Sequence, residues 1–112
     1  MKYMLLIYAD NQDWDSLSPD EQGAMFEEYV ALSNEPATQH DNQLQPAATA
    51  TTVRVQDGRT LTTDGPFVEI KEELGGYYLV EADDLDAAID IASRIPAART
   101  GGAVEVRPVV EG

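Results

Sequence analysis

Residues 77–96 read YYLVEADDLDAAIDIASRIP and place a strand directly before a helix. The segment 77–82 is mostly apolar and rich in residue types that favour strands. Asp83-Asp84 supply short acidic side chains of the kind that cap helix starts. An apolar stripe at helical spacing follows, formed by Leu85, Ala88, Ile89 and Ala92. Pro96 predicts that this helix ends at Ile95, because the residue before a proline disfavours helical geometry.

The first third of the chain repeats the order of strand and helix. Residues 2–9 are almost continuously apolar, which is typical of a strand buried on both faces, and residues 10–13 predict a polar loop. Ser18-Pro19-Asp20-Glu21 predicts a helix start with a serine cap and a capping box. This helix should end near Ser33-Asn34, ahead of Pro36. Its apolar stripe consists of Met25, Phe26, Tyr29, Val30 and Leu32.

A hairpin lies between the two strand–helix units. Thr49–Val55 and Thr60–Thr63 are predicted strands, and Asp57-Gly58 between them is a strong hairpin turn signal. The polar stretch before the hairpin leaves room for a short edge strand. A last strand is predicted at Ala103–Val110, where Pro108 requires an edge position or a bulge.

The element order is β-α-β-β-α-β with an extra hairpin, the ferredoxin-like α+β pattern with an antiparallel sheet. The two most apolar strands should lie in the sheet centre, parallel to each other. Two helices can cover only one face of such a sheet, so the other face would expose an apolar patch. Packing of two such faces by two-fold symmetry predicts a homodimer. A chain of 112 residues suits a single domain spanning 1–112.

The charge balance excludes several classes of partner. The chain has 21 acidic and 7 basic residues, for a net charge of −14. Such a surface repels phosphate backbones and anionic lipids, so we expect neither nucleic-acid nor membrane binding. The short apolar run at the N-terminus leads into Asp10 without a signal-peptide cleavage pattern, which predicts a cytoplasmic protein. The absence of cysteine excludes disulfides and thiolate sites.

Asp64-Gly65-Pro66-Phe67 is open to two interpretations. Structurally, Asp and Gly form a turn, Pro stiffens it, and Phe67 anchors it in the core. Functionally, Asp64 stands at the mouth of a cleft as an acid, a base or a hydrogen-bond acceptor, which makes it the candidate catalytic residue. The two interpretations are compatible.

The other candidate site residues carry weaker signals. Lys71 and Arg107 could meet a ligand carboxylate, although exposed Lys–Glu pairing explains Lys71 equally well. His40-Asp41 could act as a base or bind a metal, but a lone histidine in a polar loop is usually solvated. The candidate ligand-binding residues are Tyr8, Phe67, Lys71, Tyr77 and Arg107. With dispersed carboxylates and no phosphate-binding glycine loop, we expect neither a metal nor another cofactor.

A series of motifs runs along nearly the whole chain. They are Met1–Tyr8, Leu44-Gln45-Pro46, Ala48–Val55, Asp64-Gly65-Pro66-Phe67, Leu74-Gly75-Gly76-Tyr77-Tyr78, Ile95–Arg99 and Val104–Pro108. In this order they resemble the YCII-related proteins of the DGPF type. The resemblance implies a bacterial, cytoplasmic protein that forms a dimeric α+β barrel.

The resemblance leaves the activity open. It implies a small-molecule-binding barrel. Because the family is similar to small barrel enzymes of aromatic degradation, the reaction types that the resemblance suggests are those of a lyase or an isomerase. The alternative is a non-catalytic regulatory protein, because DGPF-type relatives occur beside or fused to extracytoplasmic-function sigma factors. Some YCII-related proteins have a His–Asp pair with the histidine in the first helix. This chain has no histidine there, and its segment 33–43 is shortened and polar.

Overall fold

The computed structural model describes residues 1–111 as an α+β architecture with two antiparallel sheets and three α-helices. The strands are β1 (Lys2–Ala9), β2 (Thr38–Gln43), β3 (Thr51–Gln56), β4 (Arg59–Asp64), β5 (Glu73–Glu81) and β6 (Ala103–Pro108). The α-helices are α1 (Asn11–Asp15), α2 (Pro19–Ser33) and α3 (Leu85–Ser93), and 3₁₀ turns occupy Ala47–Thr49 and Pro96–Ala98. The predicted α+β class with an antiparallel sheet is confirmed.

The main sheet has the strand order β2-β5-β1-β6. The two apolar strands, β1 and β5, occupy its centre as expected, but they pair antiparallel, with Leu5 opposite Tyr78, so the predicted parallel arrangement is wrong. The reason is that the two strand–helix–strand units interleave. Helix α2 leads from β1 to the parallel strand β2 two places away, and β5 runs in the opposite direction between them.

The core lies on one face of this sheet. Along β1 the side chains alternate, so that Tyr3, Leu5 and Ile7 are buried while their neighbours point to the opposite face. Val80 and Tyr78 lie directly opposite Tyr3 and Leu5 and are buried with them. The helices and the turn after α3 cover this face with Leu32, Ala88, Ile91, Ala92, Ile95 and Ala97.

Within residues 1–111, no helix packs on the opposite face of the sheet, which we call the open face. Its central side chains are apolar and only half-buried: Met4, Leu6, Tyr8, Tyr77 and Leu79. Residues directly opposite one another in an antiparallel pair share a face, which places His40 beside Leu79 and Arg107 beside Met4 at its margins.

The start of α2 confirms the predicted capping box. The Ser18 hydroxyl accepts a hydrogen bond from the Glu21 amide at 3.1 Å, and the Glu21 carboxylate accepts one from the Ser18 amide at 3.0 Å. The helix ends at Ser33 as predicted. The predicted polar loop at residues 10–13 is wrong, because α1 forms there with the Asp10 side chain capping the Gln12 amide at 2.9 Å.

The second sheet is a two-stranded hairpin, β3–β4, and we call residues 51–64 the arm. The turn Asp57-Gly58 has positive φ values of 51° and 74°, as the predicted hairpin turn requires. Nearly all of the arm is exposed. The radius of gyration is 15.9 Å, against roughly 13 Å for a compact chain of this length. The arm therefore projects from the rest of the chain and increases the radius of gyration.

The edges of the main sheet agree with the sequence. The polar strand β2 forms one edge, in the region where the sequence left room for a short strand. Strand β6 forms the other edge, where Pro108 lies opposite Tyr3. Segment 67–70 joins no strand. Within residues 1–111, no helix is both long enough and apolar enough to span a membrane.

Candidate functional site

A half-open cleft of about 510 Å³ separates the first two helices from the sheet. Helices α1 and α2 form one wall, and the sheet forms the other with Ile7, Asp41, Gly76 and Tyr78. Clefts of roughly 300–1,000 Å³ with mostly apolar walls are typical of small-molecule sites. The cleft lies on the helix-covered side of the sheet, at the end where β1 leads into α1.

The apolar stripe of α2 lines this cleft. A stripe of this kind usually packs into a core. Here only Leu32 of the predicted stripe is buried, while Phe26 and Val30 remain exposed. Met25, Phe26, Tyr29 and Val30 all border the cleft, and Trp14 of α1 lies with them. The stripe therefore supplies an apolar wall to a cavity instead of closing over the sheet.

Polar groups meet where the C-terminal end of α2 faces β2 and β5. The Tyr78 hydroxyl donates a hydrogen bond across the cleft to the Tyr29 carbonyl at 2.8 Å. The Ser33 hydroxyl lies 3.0 Å from the Asp41 carboxylate and 3.2 Å from the same Tyr29 carbonyl. Asp41 is half-buried and, within residues 1–111, has no basic partner within 4.0 Å.

Burial keeps the two tyrosine hydroxyls protonated. It raises the pKa of Tyr29 and the pKa of Tyr78 above their ordinary value of 10.0. For Tyr78 the nearby Asp41 carboxylate raises the pKa further, and the Ser33 hydroxyl lowers it. Both side chains therefore act as neutral hydrogen-bonding groups near pH 7.

The charged groups of the cleft are acidic. Asp10, Asp13 and Asp41 belong to its lining, and no Lys, Arg or His does within the described residues. The Lys71 ammonium lies 3.7 Å from the Asp10 carboxylate, which offsets that charge from outside the cleft. Such a cleft favours a cationic or hydrogen-bond-donating group over an anion.

The predicted ligand-binding residues do not come together. Tyr8 and Tyr77 lie on the open face with Arg107, whose guanidinium pairs with Glu105 at 2.6 Å, and Tyr77 also belongs to the lining of the cleft. Lys71 lies outside the cleft and pairs with Asp10 of its lining. Lys71 and Arg107 therefore pair with different carboxylates.

The Asp64-Gly65-Pro66-Phe67 motif closes the base of the arm. The Gly65 amide donates to the Ala50 carbonyl at 2.8 Å, and the Thr52 hydroxyl donates to the Gly65 carbonyl at 2.8 Å. Gly65 has a φ of 97°, which glycine adopts without strain. The expectation that Phe67 anchors the turn in the core is wrong. It is 69% exposed, because its ring packs 4.9 Å from the Arg54 guanidinium on the arm.

The sequence does not single out the cleft residues Trp14, Ser33 and Asp41. It presents Asp41 only as the neighbour of His40, yet adjacent strand residues point to opposite faces. Asp41 faces the cleft with Tyr78, and His40 lies on the open face. The sequence signal for Asp41 is the alternation of side chains between the two faces of β2. Which face each side chain takes depends on the register of β2 with β5, and only the structure gives that register.

An antiparallel α+β fold with a half-open helix–sheet cleft is suited to small-molecule binding. The model of the YCII-related domain family matches residues 1–111. The chain is also similar to an uncharacterized protein of Rhizobium meliloti (strain 1021), with 32% identity over 114 residues, covering 97% of this chain and 92% of that protein. The chain therefore belongs to the YCII-related family.

Proposed function

We propose that this YCII-related protein is a homodimeric small-molecule-binding protein with lyase or isomerase activity. Its ligand combines an apolar body with a cationic or hydrogen-bond-donating group. One observation carries the proposal: among the described residues, the half-buried Asp41 carboxylate has no basic partner within 4.0 Å, and it lines a mostly apolar cleft of about 510 Å³. The α2 side chains would hold the apolar body of the ligand.

Asp41 is the carboxylate with the geometry for direct ligand recognition. Asp10 is engaged in capping α1 and in its contact with Lys71. Asp41 accepts one hydrogen bond from Ser33, which leaves its second oxygen for a ligand. A ligand carboxylate would meet like charge in this cleft, so the structure favours an amine over an acid.

The single tryptophan of the chain gives a direct assay, because Trp14 borders the cleft. Benzylamine and benzoate have the same ring and opposite charge, so the pair separates apolar from electrostatic binding. We expect benzylamine to change Trp14 fluorescence with saturation and benzoate to bind at least tenfold more weakly. Asp41→Asn should remove this preference, while Asp86→Asn on α3 makes the same charge change away from the cleft.

Two results would contradict the ligand site. Equal binding of both probes would show that the cleft does not discriminate charge. Retention of the amine preference in Asp41→Asn would remove Asp41 from the site. Binding of neither probe would favour the regulatory alternative, in which the acidic surface meets a basic protein such as an extracytoplasmic-function sigma factor.

The proposed activity is a proton transfer on the bound ligand. In many lyases and isomerases a base removes a proton from carbon, and we assign that base to Asp41. A small molecule retained through purification from the host can be released, identified by mass spectrometry and incubated with the protein in D₂O. Deuterium incorporation that Asp41→Asn abolishes is the expected result. Unchanged incorporation with the variant would contradict the assignment.

The homodimer joins two open sheet faces in a ferredoxin-like dimeric α+β barrel. The support is the row of half-buried apolar side chains on that face, which includes Leu6 and Leu79. Native mass spectrometry should find a dimer, and Leu79→Glu should convert it to a monomer. Val110→Glu adds the same charge at a side chain that is 94% exposed and should leave the dimer intact. A monomeric wild-type protein would refute this part of the proposal.

A further inference from the structure

Three donors surround the carbonyl oxygen of Tyr29, which has two lone pairs to offer them. The Ser33 amide donates to it as the i→i+4 hydrogen bond of helix α2. The Tyr78 hydroxyl donates to it from strand β5 at 2.8 Å. The Ser33 hydroxyl lies farther away, at 3.2 Å. Because the first two donors occupy both lone pairs, the carbonyl has no acceptor site left for the Ser33 hydroxyl.

The Ser33 hydroxyl has one proton and a second acceptor within reach. Oδ1 of Asp41 lies 3.0 Å from it, which is shorter than its distance of 3.2 Å to the Tyr29 carbonyl oxygen. A carboxylate is also the stronger acceptor, since hydrogen bonds to a charged group are shorter and stronger than those between neutral groups. Lone-pair occupancy, distance and charge therefore all direct the Ser33 proton to Asp41.

The elements that carry this cluster are held in place by contacts outside it. Leu32, which precedes Ser33, is only 4% exposed and belongs to the core. The Thr38 hydroxyl donates to the Leu32 carbonyl at 2.7 Å and ties the start of β2 to the end of α2. Asp41 lies directly opposite Tyr78 in the register of β2 and β5, so both side chains share the face that α2 covers. Two strands and a helix therefore fix the relative positions of the four groups.

We propose that Ser33 and Tyr78 are positioning residues for the ligand-binding carboxylate of Asp41. Tyr78 occupies the Tyr29 carbonyl and so turns the Ser33 proton away from it, and Ser33 then holds Oδ1 of Asp41. Oδ2 is thereby left as the oxygen that a cationic or hydrogen-bond-donating ligand group in the cleft can meet. This inference rests on the proposed function, which assigns ligand recognition to Asp41.

The variant Ser33→Ala tests the contact between Ser33 and Asp41, with benzylamine binding followed by Trp14 fluorescence. It removes the hydroxyl and keeps the charge of Asp41. The ligand must then order a carboxylate that Ser33 no longer holds, so we expect benzylamine affinity to fall about tenfold. Benzylamine should still bind more tightly than benzoate, because the charge remains. Ser33→Thr returns a hydroxyl to the same position and should recover most of the lost affinity.

Ser93→Ala is the matched control, because Ser93 is the last residue of α3 as Ser33 is the last residue of α2. Its hydroxyl donates to the Asp90 carbonyl at 2.7 Å, and its side chain does not line the cleft. We expect unchanged benzylamine affinity in this variant and a folded chain by circular dichroism in all of them. Equal losses in Ser33→Ala and Ser93→Ala would overturn the positioning role of Ser33.

The variant Tyr78→Phe tests whether Tyr78 directs the Ser33 proton. It frees one lone pair of the Tyr29 carbonyl, so the Ser33 proton is divided between two acceptors and benzylamine affinity should fall about threefold. In the Ser33→Ala background the same substitution should have no further effect, because Tyr78 acts through the Ser33 proton. Unchanged affinity in Tyr78→Phe, or additive losses in the double variant, would overturn the role of Tyr78.

The proposed function and this inference fail in different ways. If the wild type binds benzylamine and Ser33→Ala binds it equally well, Asp41 recognises the ligand without Ser33, and only this inference is overturned. If the wild type does not bind benzylamine, or if Asp41→Asn keeps the amine preference, the ligand site and its positioning residues are overturned together.

Discussion

The hydroxyl of Tyr78 offers a test of what binds helix α2 to the sheet across the cleft. It donates across the cleft to the Tyr29 carbonyl at 2.8 Å and so links the central strand β5 to helix α2. Tyr78→Phe removes this bond and keeps the buried ring. The expected change is therefore the loss of one hydrogen bond, without a cavity of side-chain size.

The magnitude follows from what remains after the substitution. The Tyr29 carbonyl lies within helix α2 and still accepts the i→i+4 hydrogen bond from the Ser33 backbone amide, so no buried acceptor is left without a partner. A hydrogen bond lost under these conditions costs about 1 kcal/mol of unfolding free energy. For a domain near 110 residues this corresponds to a decrease in Tm of about 4 °C.

Thermal unfolding by circular dichroism at pH 7 and a fixed protein concentration measures this change. Tyr3→Phe is the matched control, since Tyr3 is buried in the same layer but its hydroxyl only approaches the Met1 sulfur at 3.7 Å. We expect the control to change the unfolding free energy by less than about 0.5 kcal/mol. Equal Tm values for the two variants would refute the cross-cleft bond. A loss above about 3 kcal/mol would show that the hydroxyl supports more than one bond.

Two further predictions test the core and the backbone. Burial raises the pKa of Tyr78, so the folded protein keeps the hydroxyl proton at pH values where the unfolded chain has lost it. The contribution of this group to the free energy of unfolding is complete below about pH 10 and is lost as the pH rises further. Urea unfolding between pH 8 and 11 should therefore show a steeper alkaline loss for the wild type than for Tyr78→Phe, and parallel curves would contradict this. Gly23→Ala in the exposed middle of α2 should stabilise the protein by about 1 kcal/mol, since a Cβ there meets nothing within 4 Å. Gly102→Ala should destabilise it by about 1–3 kcal/mol, because its Cβ would lie 2.2 Å from the Tyr8 carbonyl oxygen; equal stability of the two alanine variants would contradict the predicted close contact.

The long periodic elements could be predicted because local residues determine them. The capping box at Ser18 and the turn at Asp57-Gly58 form as their local chemistry requires, and α3 ends at Ser93, two residues before the end that Pro96 predicts. Helix α1 could not be predicted in this way. It has five residues without an apolar period, and its cap at Asp10 uses residue types that are equally common in polar loops.

The cleft depends on tertiary relations that a single sequence does not contain. The stripe on α2 predicts an apolar face but not the distance of that face from the sheet. A stripe of this kind usually packs into a core, whereas Phe26 and Val30 lie beside a cavity. Which face of β2 holds Asp41 depends on its register with β5, and a shift of one residue would exchange its place with His40.

Many of the exposed apolar residues fall into two groups. One group, with Trp14 and Phe26, borders the cleft, and a second follows the arm and the loop after it, from Val53 to Ile70. The core of this small chain cannot bury both groups. Single exposed hydrophobic residues need no explanation, whereas two contiguous groups of them do.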